Sequence, residues 1–188
     1  MGYLVSKWEL YMLLKIEHIM GKMVNGVGYI TGVLLVLMIL NVAYDVIMRY
    51  VFHNSSIGMQ ELEWHLFAVI ILFGTGYALR HNAHVRVDFL YDTFSNKTKA
   101  VINILGTVFF LLPLTLLIAF GSIDFVMDAY TTSEISEDPG GLTHRWIIKG
   151  MIPLAFLFLI FCAFDYIIQN INIYRGIEPM PKPEEEII

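Results

Sequence analysis

Two uncharged apolar runs constrain this chain more than anything else in it. Val24 to Tyr44 and Ala100 to Ile123 contain no Asp, Glu, Lys or Arg. As helices, both are long enough to cross the roughly 30 Å hydrocarbon layer, which takes about 20 residues. Trp64 to Leu79 offers 16 uncharged residues between Glu63 and Arg80. It spans once those flanking side chains reach for the interface. Gly150 to Phe164 lies between Lys149 and Asp165, and extended from Trp146 to Ile168 it is long enough as well. Runs of this length exclude a β-barrel, whose strands alternate and span about 10 residues each. Composition agrees. Hydrophobic residues make up 57% of the 188 and charged residues 15%, with a mean hydropathy of +0.65. A soluble fold of this size has too little interior for that much apolar surface. Disordered chains are poor in the aromatic and β-branched residues found here. The predicted fold is an all-α integral membrane protein with four transmembrane helices.

Lys and Arg set the orientation of such a bundle. Lys7, Lys15, Lys22, Arg80, Arg86, Lys97, Lys99, Arg175 and Lys182 fall on one side, and Arg49, Arg145 and Lys149 on the other. Both termini and the middle loop are therefore expected in the cytoplasm. The outer side carries Asp45, Glu61, Glu63, Asp124, Asp128, Glu134, Glu137 and Asp138, so it is net acidic. Residues 3–22 place Leu4, Trp8, Met12, Ile16, Ile19 and Met23 at helical spacing. This reads as an amphipathic helix on the inner leaflet of the bilayer, or else as a loosely ordered tail. The predicted organisation is an interfacial helix over 1–23, a membrane domain over 24–170 and a cytoplasmic tail over 171–188. The spans are placed near 24–49, 61–80, 100–125 and 146–169.

Val85, Phe89 and Phe94, set among Arg86, Asp88 and Asp92, suggest a second short interfacial helix. Asp138-Pro139-Gly140-Gly141 is a strong turn signal in the last outer loop. No cleavable leader is expected, because charge runs through the first 23 residues. The single cysteine, Cys162, is expected to be a small buried apolar residue. A net charge of −5 argues against nucleic acid as a partner.

A transporter must hold its substrate or ion near the middle of the membrane, where charge is a functional signal by default. Here the polar residues within the spans are Thr31, Asn41, Thr75, Asn103, Thr107, Thr115 and Ser122. All can be satisfied on their own backbone or by a neighbouring helix. Pro113 should bend the third span by freeing the carbonyl of Phe109. Gly28 and Gly32 form a small-xxx-small face, which supports close helix packing within the chain or against a partner. Asp45 and Arg49 are spaced for a local ion pair that could also reach Glu61 or Glu63. His53, His65 and His144 lie near the outer surface, which leaves a haem-binding electron-transfer subunit as the alternative reading. No His-x-x-x-His or Glu-x-x-His pair lies within a span. No catalytic residue, cofactor or metal ligand is assigned, and the chain is not read as an enzyme.

One set of motifs goes further. It comprises Arg49-Tyr50-Val51-Phe52, Gln60-Glu61-Leu62, Phe73-Gly74, Ala78-Leu79-Arg80 and His84-Val85-Arg86-Val87-Asp88. Together these resemble the small permease subunit of TRAP (tripartite ATP-independent periplasmic) transporters, the DctQ-like family. That family shows a pair of acids opening its second span. Here Gln60 replaces the first, Glu61 matches the second, and Glu63 is displaced. The stretch from Glu134 to Leu142, followed by Arg145-Trp146-Ile147-Ile148-Lys149, looks like the subclass with a long last outer loop.

The resemblance implies a small membrane subunit of a sodium-coupled importer of organic acids. Its partners would be a large transmembrane permease subunit, expected as a separate polypeptide, a periplasmic substrate-binding protein and the lipid bilayer. The small subunit would serve as a static scaffold in the bacterial inner membrane. Arg49, Tyr50, Phe52, Glu61, Gly74, Arg80, His84 and Asp88 are the family-motif positions, expected to be structural or to contact a partner. The acidic outer face suggests docking of a basic periplasmic partner at Glu134, Glu137 and Asp138. A merely solvated acidic loop is the other reading.

Overall fold

The computed structural model describes residues 7–83, 91 and 93–177, with side chains from Met12 onward. His84 and Asp88, the helix expected around Val85 and Phe89, and the tail from Glu178 lie outside the described residues. Helix α1 runs Lys7–Tyr50 and α2 runs Ile57–Arg80. A third rod is built from α3 (Asn96–Gly106), a π-helical turn (Thr107–Leu111), α4 (Leu112–Gly121) and α5 (Ile123–Thr131). Helix α6 runs Trp146–Arg175. Among the described residues four rods are long and apolar enough to cross a membrane.

Helix α1 passes residues 23 and 24 without a break, so the predicted interfacial helix and first span form one element. No proline occurs before Pro113, and Leu, Met, Lys and Glu are good helix formers. With 44 residues the helix is about 66 Å long, roughly twice the hydrocarbon thickness. Its bundle-facing stripe is small or polar. Glu17, Val24, Thr31 and Asp45 are buried there at multiples of a seven-residue spacing. Met12, Ile16, Ile19 and Met23, the apolar side of the amphipathic pattern, are exposed and turned away from the bundle. An arrangement with small and polar residues inside and large apolar ones outside suits helices packed in lipid.

The expected bend at Pro113 takes a specific form. Proline offers no N–H to the carbonyl of Phe109, and the turn before it widens into a π-helix. Within that turn the Leu112 N–H bonds to the carbonyl of Thr107. Helix α6 packs against each of α1 to α5 and lies between the α1–α2 pair and the third rod. Leu159, Cys162, Ala163 and Tyr166 on α6 meet Val24 and Leu79 in the apolar core. Cys162 is fully buried, as expected. Helix α6 ends at Gly176, whose φ of +74° lets the Ile177 N–H reach the carbonyl of Asn172.

Candidate functional site

Polar side chains gather at both ends of this bundle. The terminal end carries the starts of α1 and α3 and the ends of α2 and α6. The loop end carries the 51–56 and 132–145 connections.

At the terminal end Arg80, the last residue of α2, pairs with Asp165 on α6. The Asp165 side chain is fully buried and that of Arg80 is 15% exposed. The guanidinium also lies against Gly21 of α1, where a Cβ would collide with Arg80 Nη2. Three helices therefore converge on one cation. Asn172 Nδ2 donates to Glu17, which ties α6 to α1 a second time. Asn103 Nδ2 of α3 donates to Asn170 Oδ1 at 2.8 Å, and Tyr166 Oη donates to Asn82 at 3.0 Å. His81 Nε2 and Asn25 Oδ1 stand 2.9 Å apart. Of these residues, sequence reasoning singled out Arg80, named Asn103 as a span polar residue that a neighbouring helix could satisfy, and saw Asp165 only as the boundary of a span. The missed signal was the face Asp165, Gln169 and Asn172, spaced at i, i+4 and i+7, all buried on α6.

At the loop end Asp45 and Arg49 form the expected pair, with the Asp45 side chain 4% exposed and that of Arg49 43%. Glu61 turns to the 132–145 loop, accepting from Ser136 Oγ and, at 2.6 Å, from the Leu142 backbone N–H. Gly141 allows this close approach, since a Cβ there would lie 2.8 Å from Glu61 Oε2. The α1–α2 link is made instead by Asn41 Nδ2, which donates to the carbonyl of Met59 at 3.0 Å.

Glu134 is engaged within the chain. It accepts from Lys149 and stands 3.7 Å from Arg145 Nε. Lys149 Nζ also lies 3.9 Å from the centroid of the Phe125 ring. Glu137 and Asp138 are exposed, so they are the members of the proposed docking trio that point to solvent. Tyr50 and Phe52 are exposed at 73% and 64%. A Cβ on Gly74 would meet nothing within 4 Å.

The small-xxx-small face meets this chain at one of its two glycines. Gly28 packs against the Tyr77 ring, whereas Gly32 faces open space. The glycine that shares the packed stripe with Gly28 is Gly21, seven residues earlier.

Between the two ends the threonine hydroxyls bond back to their own helices. Thr31 donates to the carbonyl of Gly28 at 2.7 Å, Thr75 to Ile71 at 2.8 Å, Thr107 to Asn103 at 2.7 Å and Thr115 to Leu112 at 2.9 Å. Among the described residues no group of three His, Cys, Asp or Glu side chains could hold a metal. His144 Nδ1 lies 2.8 Å from Thr143 Oγ1. Chemically, this arrangement fixes helices to one another.

Comparison with known proteins names the architecture. The DctQ component of the tripartite ATP-independent periplasmic transporters matches residues 38–172. The chain is similar to the sialic acid TRAP transporter permease protein SiaT of Haemophilus influenzae, with 27% identity over 73% of this chain and 21% of that protein. It is also similar to the ectoine TRAP transporter small permease protein TeaB of Halomonas elongata, with 31% identity over 67% of this chain and 63% of that one. A third relative, a putative TRAP transporter small permease protein of Haemophilus influenzae, is 27% identical over 66% of this chain and 78% of its own length. The chain thus spans about a fifth of the first of these relatives and under two thirds of the second. It belongs to the DctQ component family of the tripartite ATP-independent periplasmic transporters, as a multi-pass inner-membrane transporter component and not an enzyme.

Proposed function

We propose that this chain is the small membrane subunit of a sodium-coupled, binding-protein-dependent importer of organic acids. It holds a large transmembrane permease subunit as a static scaffold. The observation that carries this reading is the division of polarity along the bundle. Charged and amide side chains lock the helices at the two ends, while the hydroxyls between them are spent on their own helices. A brace needs that stiffness and needs no ligand at the midplane. The relatives named for sialic acid and ectoine support import of small organic solutes.

In this reading both termini face the cytoplasm, as the Lys and Arg distribution favours. Arg49, Glu61 and Arg80 act structurally. Tyr50 and Phe52, being exposed, are free to contact a partner. Glu137 and Asp138 offer carboxylates to a basic patch on the periplasmic binding protein.

Reconstitution tests the proposal. The chain should co-purify with the large subunit, and neither alone should carry solute. Uptake of an organic acid down a sodium gradient by liposomes holding this chain alone would overturn the scaffold role.

A further inference from the structure

Glu63 sits on α2 just inside the loop end, apart from both polar clusters. Its Oε1 is buried with no hydrogen-bond partner. Asp165 Oδ1 and Asn172 Oδ1 share that condition, but the second polar atom of each is used, by Arg80 and by Glu17. Glu63 has no such anchor among the described residues. It lines a cavity of about 250 Å³ between α1 and α2, walled by Met38, Val42, Trp64 and Phe67. A carboxylate oxygen withdrawn from water and left without a donor is costly. An acid within a membrane span marks a functional position, and its partner should be sought.

The surrounding surface narrows the choice of partner. Trp64, Phe67 and Ile71 are 72%, 47% and 51% exposed and recur at i, i+3 and i+7, so one continuous helix face borders the buried acid, which the equally apolar third rod lacks among the described residues. Large aromatics around a desolvated polar group are the usual make-up of an interaction hot spot. A lipid acyl chain has no donor to give the carboxylate. A two-fold pair of these chains would bring the same acid-bearing face against itself.

We infer that a helix of the large membrane subunit docks in the α1–α2 groove and seats a basic side chain on the Glu63 carboxylate. This rests on the reading of the chain as the small subunit of such a pair. It also goes beyond that reading by assigning the face.

The test uses the two subunits expressed together. Photo-crosslinking residues are placed at Trp64 and Phe67, with controls at Phe110 and Leu117, which are 78% and 69% exposed on the third rod. Positions 64 and 67 should capture the large subunit and the controls should not. Glu63→Lys should lower recovery of the complex by about thirtyfold, the effect of opposing a buried charge pair. Glu63→Gln, which keeps the shape, should lower it less. Thermal unfolding of each variant alone separates a folding defect from a docking defect. Should Glu63→Lys fail to fold, the cross-links of the otherwise unaltered chain still decide.

Capture of lipid alone or of a second copy at positions 64 and 67 overturns the inference. So does unchanged recovery of the complex with a folded Glu63→Lys chain. A complex that forms but cross-links only through the third rod defeats the assigned face and leaves the scaffold standing. Failure of the unaltered chain to recover any large subunit defeats the scaffold itself.

Discussion

Asp165 and Glu134 each meet a cation, yet their surroundings differ. Asp165 is fully buried against Arg80, whereas Glu134 has 31% of its side chain exposed beside Lys149. The terminal end ties α1, α2, α3 and α6 together through long-range pairs. At the loop end, Glu61 and Glu134 mostly organise a single loop and the helix ends beside it. The same residue chemistry therefore holds whole helices at one end and shapes a surface at the other. A scaffold in a binding-protein-dependent transporter would need both functions. In the proposed scaffold, one end would resist the motion of its neighbour and the other would present a face to a soluble partner.

The sharpest way to break this contrast is at Asp165. Asp165→Leu leaves the Arg80 guanidinium unpaired and should cost about 3–5 kcal/mol of stability. Replacing both partners, Arg80→Met with Asp165→Leu, should recover most of that loss. Thermal unfolding in detergent across the double-mutant cycle measures it. Equal losses in the single and double variants would mean that packing, and not charge pairing, holds this end.

A smaller effect is expected along α1. Gly28→Leu must displace the Tyr77 ring and should cost about 1–3 kcal/mol, while Gly32→Leu should be nearly neutral. If the two glycines respond alike, the stripe assigned to α1 is misplaced.

Glu61→Gln should leave the global unfolding temperature almost unchanged and speed hydrogen exchange at the Leu142 amide and its neighbours. A global loss matching that of Asp165→Leu would erase the distinction between the ends.

The mildest change is Glu134→Gln, for which about 0.2–1 kcal/mol is expected at a partly exposed pair. Charge reversal at Glu137 and Asp138 should slow binding of the periplasmic protein and flatten its salt dependence more than reversal at Glu134 does. Association rates at two salt concentrations check this.

Much of the fold was legible because a membrane imposes length. The four long apolar helices, the Pro113 irregularity, the buried cysteine and the Asp45–Arg49 pair all follow from local spacing. The candidate site was legible only in part. Arg80 and Glu61 stood out through resemblance, but their partners Asp165, Ser136 and Leu142 are 75 to 85 residues away in the chain. Nothing local pairs residues across such separations. Gly32 shows the same limit: a spacing of four names a helical face without saying what stands opposite it. Glu63 was read as a displaced family acid, and its isolation shows only once α1 and α2 are set side by side.

By itself, then, the sequence determined a four-span helical membrane protein with its charge at the ends. Only hydrocarbon-length apolar helices with satisfied backbones can cross a bilayer. Tertiary structure decided which face of each helix turns inward and which charges meet. In lipid, inside and outside are both apolar, so hydropathy alone does not mark the packed face. That choice falls to the fit of small residues such as Gly21 against Arg80 and to the pairing of buried polar groups.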